Sequence, residues 1–343
     1  MAIRFNDPII TLAHGAGGKA MRDLVEGLIL PYFDNELLAP LEDQARVPLG
    51  ELTALGDRLA MTTDSFVVDP LEFPGGDIGT LAINGTVNDL AMSGAIPRYL
   101  TCGLIIEEGL EVGLLKRILG SMKQAAAKAG VAIVSGDTKV VQRGGADKLF
   151  INTAGIGVIP ADADIRASRA QVGDVVIVNG VLGDHGAAVL NARGDLALDV
   201  ELRSDCQPLN RQVQALRAAC PDVHCLRDAT RGGVATVLNE FAESAQVAIR
   251  LNERDIPVRD TVRGVCEILG LDALYLANEG RLVAILPAEY VQATLSALHA
   301  CGDEAHVIGE VIPSPAGRVL MKTVFGSERI VDRLVGEQLP RIC

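Results

Sequence analysis

The chain has 343 residues, 49% of them hydrophobic and 22% charged, which is enough apolar material for about two domains of roughly 150 residues each. A net charge of −13 at pH 7 excludes a surface built to grip nucleic-acid phosphates or an anionic membrane. Trp is absent and aromatic residues reach only 3%, so Ala, Val, Ile and Leu must build the core.

The first stretch, MAIRFNDPIITLAHGAGG, has no basic region followed by an apolar run, which predicts that it is not a secretory leader. LAHGAGGKA follows, ahead of a helix expected over 19–30. It reads either as a flexible turn or as a lid whose backbone N–H groups, with His14, Gly15, Gly17, Gly18 and Lys19, close over phosphates. A strand is expected over 58–63, ending at Asp64, and a small-residue helix over 77–93. On that helix Asn84 and Asn88 lie one turn apart, as do Gly85 and Asp89, so a polar stripe runs between apolar flanks. A strand over 99–106 and a helix over 110–129 come next. That helix has Leu114, Leu115, Ile118, Leu119 and Met122 at helical spacing and Gly130 as its stop. A short strand at 132–134 then runs into SGDTK, and a strand over 149–159 is closed by Pro160.

Residues 159–174 read as a linker ending in Val-Gly-Asp. A second unit is expected beyond it. Its strands fall at 175–178, 246–251, 281–286, 306–311 and 318–324, and its helices at 183–193, 208–219, 232–244, 259–269 and 288–300. The domains predicted are therefore 1–160 and 170–325. Residues 326–343 form a mobile tail that ends in Cys343. Its last seventeen residues, 327–343, would span on the order of 55 Å when extended, enough to carry that thiol into a distant pocket.

The seven cysteines form no C-x-x-C pair, which predicts unbridged thiols, a reducing compartment and a cytoplasmic location. His185 reads as a polar residue in a first helical turn, and neither it nor His224 reads as a metal ligand. Asp64 (TTDSF), Asp89 (NGTVNDLAMSGA), Asp137 (SGDTKV) and Asp228 (LRDATRGG) each fall at a strand end or in a turn, or on the stripe. Any one of them is compatible with a cap or a turn. Four converging would repel unless a cation sat among them, and hard oxygen donors suit Mg²⁺ bridging to a nucleotide.

These motifs, in this order, resemble the aminoimidazole ribonucleotide synthetase superfamily, which includes selenophosphate synthetase and thiamine-monophosphate kinase. With HGAGGKAM, NEGR and a terminal PRIC, the chain is most similar over its whole length to the carbamoyl dehydratases of hydrogenase maturation. The resemblance implies a mixed α+β fold of two domains with a flexible tail. It implies a homodimer formed through the N-terminal domain, with ATP and Mg²⁺ near the interface. It implies that a carbamoyltransferase, HypF, loads Cys343 with a carbamoyl group. ATP-dependent dehydration then gives a thiocyanate, whose cyanide passes to a HypC–HypD complex and becomes an iron ligand of [NiFe]-hydrogenase. Lys139 and Glu279 match the family's acid–base positions, and are expected to form a buried pair in which either takes the amide proton. Asp64, Asp89, Asp137 and Asp228 would organise metal and phosphate. A small-molecule kinase or synthetase of the same superfamily, which would not use Cys343, is the alternative reading.

Overall fold

The structure, a computed structural model, describes residues 5–194, 201–336, 339 and 341–343. Pro340 of the terminal motif lies outside them.

The N-terminal unit begins with α1 (Lys19–Leu24), a π turn over Val25–Ile29, and α2 (Leu30–Phe33). One helix was expected over 19–30. Pro31 in the first turn of α2 has no N–H to donate, and the helix widens just before it. After α3 (Leu49–Thr53) comes β1 (Arg58–Phe66). A small ribbon of β2 (Glu72–Phe73) and β3 (Gly76–Asp77) leads into α4 (Ile78–Met92), where the Asp77 carboxylate caps the helix by accepting the Thr80 N–H at 2.8 Å. Next are β4 (Ile96–Glu107), α5 (Val112–Ala129), β5 (Ala132–Val141) and β6 (Leu149–Ile159). The sheet order is β1-β6-β4-β5, antiparallel except for the β4–β5 pair that α5 connects. SGDTK, expected at the end of a short strand, lies inside β5, because β4 is long enough to pair with it as far as Val141.

Helices α4 and α5 cover one face of this sheet. Leu115, Ile118, Leu119 and Met122 of α5 are fully buried, each contributing about 1.5–3 kcal/mol. Helix α4 is buried on nearly every side, which its small residues permit. A Cβ on Gly79 would lie 2.6 Å from the Ile118 carbonyl oxygen, and one on Gly85 would lie 2.9 Å from the Phe66 ring. The opposite face of the sheet is open, with Leu59 53%, Met61 74% and Ile105 40% exposed.

The C-terminal unit comprises β7 (Val175–Val178), α6 (Asp184–Ala192), α7 (Asn210–Ala219), β8 (Cys225–Asp228), α8 (Gly233–Ala245) and β9 (Ala248–Asn252). It continues with α9 (Asp260–Leu269), β10 (Leu282–Leu286), α10 (Val291–Ala300), β11 (His306–Ile312), β12 (Arg318–Lys322) and β13 (Glu328–Ile330). The order β13-β12-β9-β11-β7-β10-β8 places β8, which was not anticipated, at an edge against β10. Helix α8 packs Val234, Leu238 and Phe241 on one face, and α7 and α10 bury Val213, Leu216 and Leu298 on the other. Helix α4 reaches across from the first unit to touch β8 and α7. The polar stripe of one unit therefore meets the Asp228 strand end of the other.

Candidate active site

Asp64, Asp89 and Asp228 converge at this junction. Asp64 lies on the inward face of β1 over α4, Asp89 rises from the last turns of α4, and Asp228 ends β8. The Thr62 hydroxyl donates to Asp89 Oδ2 at 2.9 Å, and the Ser65 N–H donates to Asp64 Oδ1 at 2.8 Å. Burial holds the Asp89 carboxyl above its ordinary range, and the Asp64 charge adds to the effect. Burial pushes Asp228 up to about 7, with Asp89 the next cause. Asp89 and Asp228 line a cleft with Arg227 and Arg231 on its walls, and Asp64 lies beside it, near enough for its charge to act on both. Among the described residues no three ligating side chains close on one point as a metal cage. The donor set fits an ion that takes one or two carboxylates and fills its other positions from phosphate and water, as Mg²⁺ does.

Glu279 is 3% exposed and adjoins the same cluster. Burial raises its carboxyl well above the usual range, reinforced by Asp228, Asp205, Asp64 and Asp89. The segment 204–207 holds its backbone. Asp205 accepts the Glu279 N–H at 3.0 Å and the Gly280 N–H at 3.3 Å, and the Gln207 N–H donates to the Glu279 carbonyl at 3.3 Å. The Asn88 carboxamide bridges the same segment, accepting the Leu209 N–H at 2.7 Å and donating to the Gln207 carbonyl at 3.2 Å. Asn84 donates to Cys206 Sγ at 3.4 Å, while its Oδ1 is buried with no hydrogen-bond partner among the described residues.

Asp137 does not join the other three aspartates. Its row on the sheet runs through Gly103 and Asn152 to Ser65, three strand spacings away, roughly 14 Å. Asp137 and Lys139 share the outward face, where they pair with each other at 3.2 Å and are 63% and 65% exposed. The buried Lys139–Glu279 pair expected from the sequence is therefore not formed within one chain, because the two residues lie on opposite sides of the sheet. The Gly-rich loop does reach Asp137: Gly17, Gly18, Gly136 and Asp137 line one cavity beneath α1 and α2. His14 has both ring nitrogens engaged within its own segment, Nδ1 by the Thr11 N–H at 2.9 Å and Nε2 by Asp7 at 3.0 Å. Lys19 pairs with Asp23.

The end of the tail is docked. The Val67 N–H donates to the Cys343 carbonyl at 3.0 Å, the Asp69 N–H to the Arg341 carbonyl at 3.4 Å, and Arg341 Nε to the Val67 carbonyl at 3.1 Å. Arg341 also pairs with Asp147, and Arg193 donates to the Arg341 carbonyl at 2.8 Å. Ile342 is 4% exposed and joins the N-terminal core. These contacts set Cys343 in a cavity with Ser65, Ala277 and Arg231. Arg231 thus lines both the thiol's cavity and the carboxylate cleft. No disulfide involves any of the seven cysteines.

Arg231, Asp205 and His185 were not anticipated. Arg231 is visible only as the cation in DATRGG, beside the aspartate that drew attention. Asp205 and His185 lie outside any motif, and only packing places them at the site. His224, expected not to bind metal, is buried and bonded to Asp174 at 2.7 Å.

Two descriptions of known domains cover most of the chain. AIR synthase related protein, N-terminal domain, matches residues 42–159, and AIR synthase related protein, C-terminal domain, matches residues 171–322. The fold and the interdomain acidic cleft thus define an AIR synthase-related protein. Carbamoyl dehydratase HypE of Rhodobacter capsulatus is 53% identical over 345 residues, covering 100% of both chains. The crystal structure of hydrogenase maturation protein HypE in complex with ATP superposes with a TM-score of 0.91 at 48% identity, covering 97% of this chain and 99% of that one. HypE in a HypE–HypF complex superposes with a TM-score of 0.78 at 44% identity, covering 92% and 100%. Within its class, the chain belongs to the carbamoyl dehydratase HypE family. Among the described residues, no helix is long and apolar enough to cross a membrane.

Proposed function

We propose that the chain carries a carbamoyl group on Cys343 and dehydrates it with ATP, converting a thiocarboxamide to a thiocyanate for hydrogenase maturation. The observation that carries this reading is the docked terminus, whose thiol shares a cavity with Arg231 at the edge of the acidic cleft. In the overall step R–S–C(O)NH₂ and ATP give R–S–C≡N, ADP and phosphate. ATP supplies the phosphoryl group that turns the amide oxygen into a leaving group; Asp64, Asp89 and Asp228 would hold Mg²⁺, which would supply positive charge against the phosphates. The C–O bond then breaks, and the nitrogen gives up two protons as the nitrile forms.

Glu279 is assigned to proton removal, since a buried carboxylate among like charges binds a proton tightly. Arg231 faces the developing phosphate charge. The orphaned Asn84 oxygen is a ready acceptor for a bound N–H or a metal-bound water. Asp137 and Lys139, remote from Glu279 in one chain, are assigned to the cleft of a second copy. The open apolar face of Leu59, Met61 and Ile105 is where a homodimer would form, and the Gly-rich loop would close over phosphate beside Asp137. HypF as the loading partner and HypC–HypD as the acceptor complete the proposal, which sets the protein in the cytoplasm.

Intact-mass measurement tests it. Carbamoylated protein given Mg-ATP loses the mass of one water at Cys343. Cys343→Ala abolishes that product and keeps ATP binding, whereas a small-molecule kinase would retain product formation in this variant. Glu279→Gln slows the loss about 100-fold or more.

A further inference from the structure

His185 lies in the first turn of α6, is fully buried, and packs its ring edge-to-face on Phe73. Its neighbours determine its tautomer. Ser204 Oγ accepts the backbone N–H of Cys206 at 3.1 Å and lies 2.8 Å from His185 Nδ1, while His185 Nε2 lies 2.8 Å from the Ile342 carbonyl oxygen, which can only accept. Nε2 therefore carries the hydrogen and donates it to that carbonyl, which leaves Nδ1 of the neutral ring to accept from the Ser204 hydroxyl. Burial lowers the pKa of the imidazole, which keeps it in this neutral form. At one end of the relay is the residue before Cys343. At the other is the 204–207 segment, whose Asp205 and Gln207 hold the backbone of Glu279.

We propose that His185 is a positioning residue that latches the thiol-bearing terminus into its seat and ties that seat, through Ser204, to the segment holding Glu279. The proposal rests on the dehydratase reading, in which thiol and base must be placed together. The structure carries it because a histidine 0% exposed, with both nitrogens bonded and one of them to the penultimate residue, has no partner that would merely complete α6.

The test uses the full-length protein. Alkylation of Cys343 by iodoacetamide is followed by peptide mass, beside the water-loss reaction. In His185→Leu, which fills the volume without a donor, Cys343 alkylates about five-fold faster than in wild type, the weight of one net hydrogen bond. The dehydration rate at saturating ATP falls by a similar factor, with KM for ATP unchanged. His185→Gln, whose terminal amide N–H reaches the place of Nε2–H, restores both values. Ser204→Ala, a milder change that leaves the histidine in place, moves both in the same direction by less. Wild-type alkylation rates in His185→Leu and Ser204→Ala would overturn the latch, and so would equal loosening in Leu and Gln. If wild-type protein shows no water loss, the dehydratase reading fails, while the alkylation series still decides the latch.

Discussion

In the proposed reading, Asp228 trades stability for chemistry. Burial and the nearby Asp89 lift its carboxyl from 3.8 to about 7. A carboxyl whose pKa is raised on folding binds more protons folded than unfolded. Its contribution is complete below the unfolded value and is lost as pH rises towards 7. The protein is therefore expected to lose stability between about pH 4 and pH 7 through this group, and Asp228→Asn should flatten that part of a thermal-melt series. The same variant should raise Tm at pH 7 while abolishing water loss from carbamoylated Cys343. Since the carboxylate form is the one that holds a cation, the wild-type rate should rise with pH through about 7. A flat pH–rate profile there would remove Asp228 from the metal-holding set. The individual aspartates were legible because each falls in a short motif rich in Gly, Thr or Ser, or on a polar stripe. Which of them meet was not, since that depends on strand order and on which face of β5 position 137 occupies.

At the level of elements, α4 does the most. It reads from sequence as a small-residue helix with a polar stripe between apolar flanks, and burial on nearly every side explains the small residues. Its small side chains let α5, β1 and β6 approach, and they bring Asn84, Asn88 and Asp89 to the junction. Gly79→Ala would set a methyl against the Ile118 carbonyl, where backbone must shift. It should cost about 1–3 kcal/mol in urea unfolding, as overpacking does. Helix α5 and strand β6 were placed within two residues by periodicity and flanking Gly or Pro. The strand β8 was missed because it has only four residues, one of them the exposed Arg227, and gains its identity from pairing with β10.

For the whole molecule, the outward face of the N-terminal sheet separates Asp137 and Lys139 from Glu279. If a second copy supplies them, Lys139→Ala and Glu279→Gln proteins should each be nearly inactive alone and should recover part of the water-loss activity when mixed as hybrid dimers. No recovery would place Lys139 outside the site. Met61→Glu puts a charge at the centre of the open apolar face, and sedimentation should then show monomer.

From its residue order alone the chain declared a two-unit mixed α+β protein, acidic loops suited to a cation and a nucleotide, and a terminal thiol. Periodicity, turn residues and charge are local properties that need no partner to be read. Which aspartates meet, where the thiol rests and what His185 holds were decided only by the tertiary structure. Each rests on at least one contact between elements far apart in the chain, such as Val67 with Cys343 or His185 with Ile342, and packing alone brings them together.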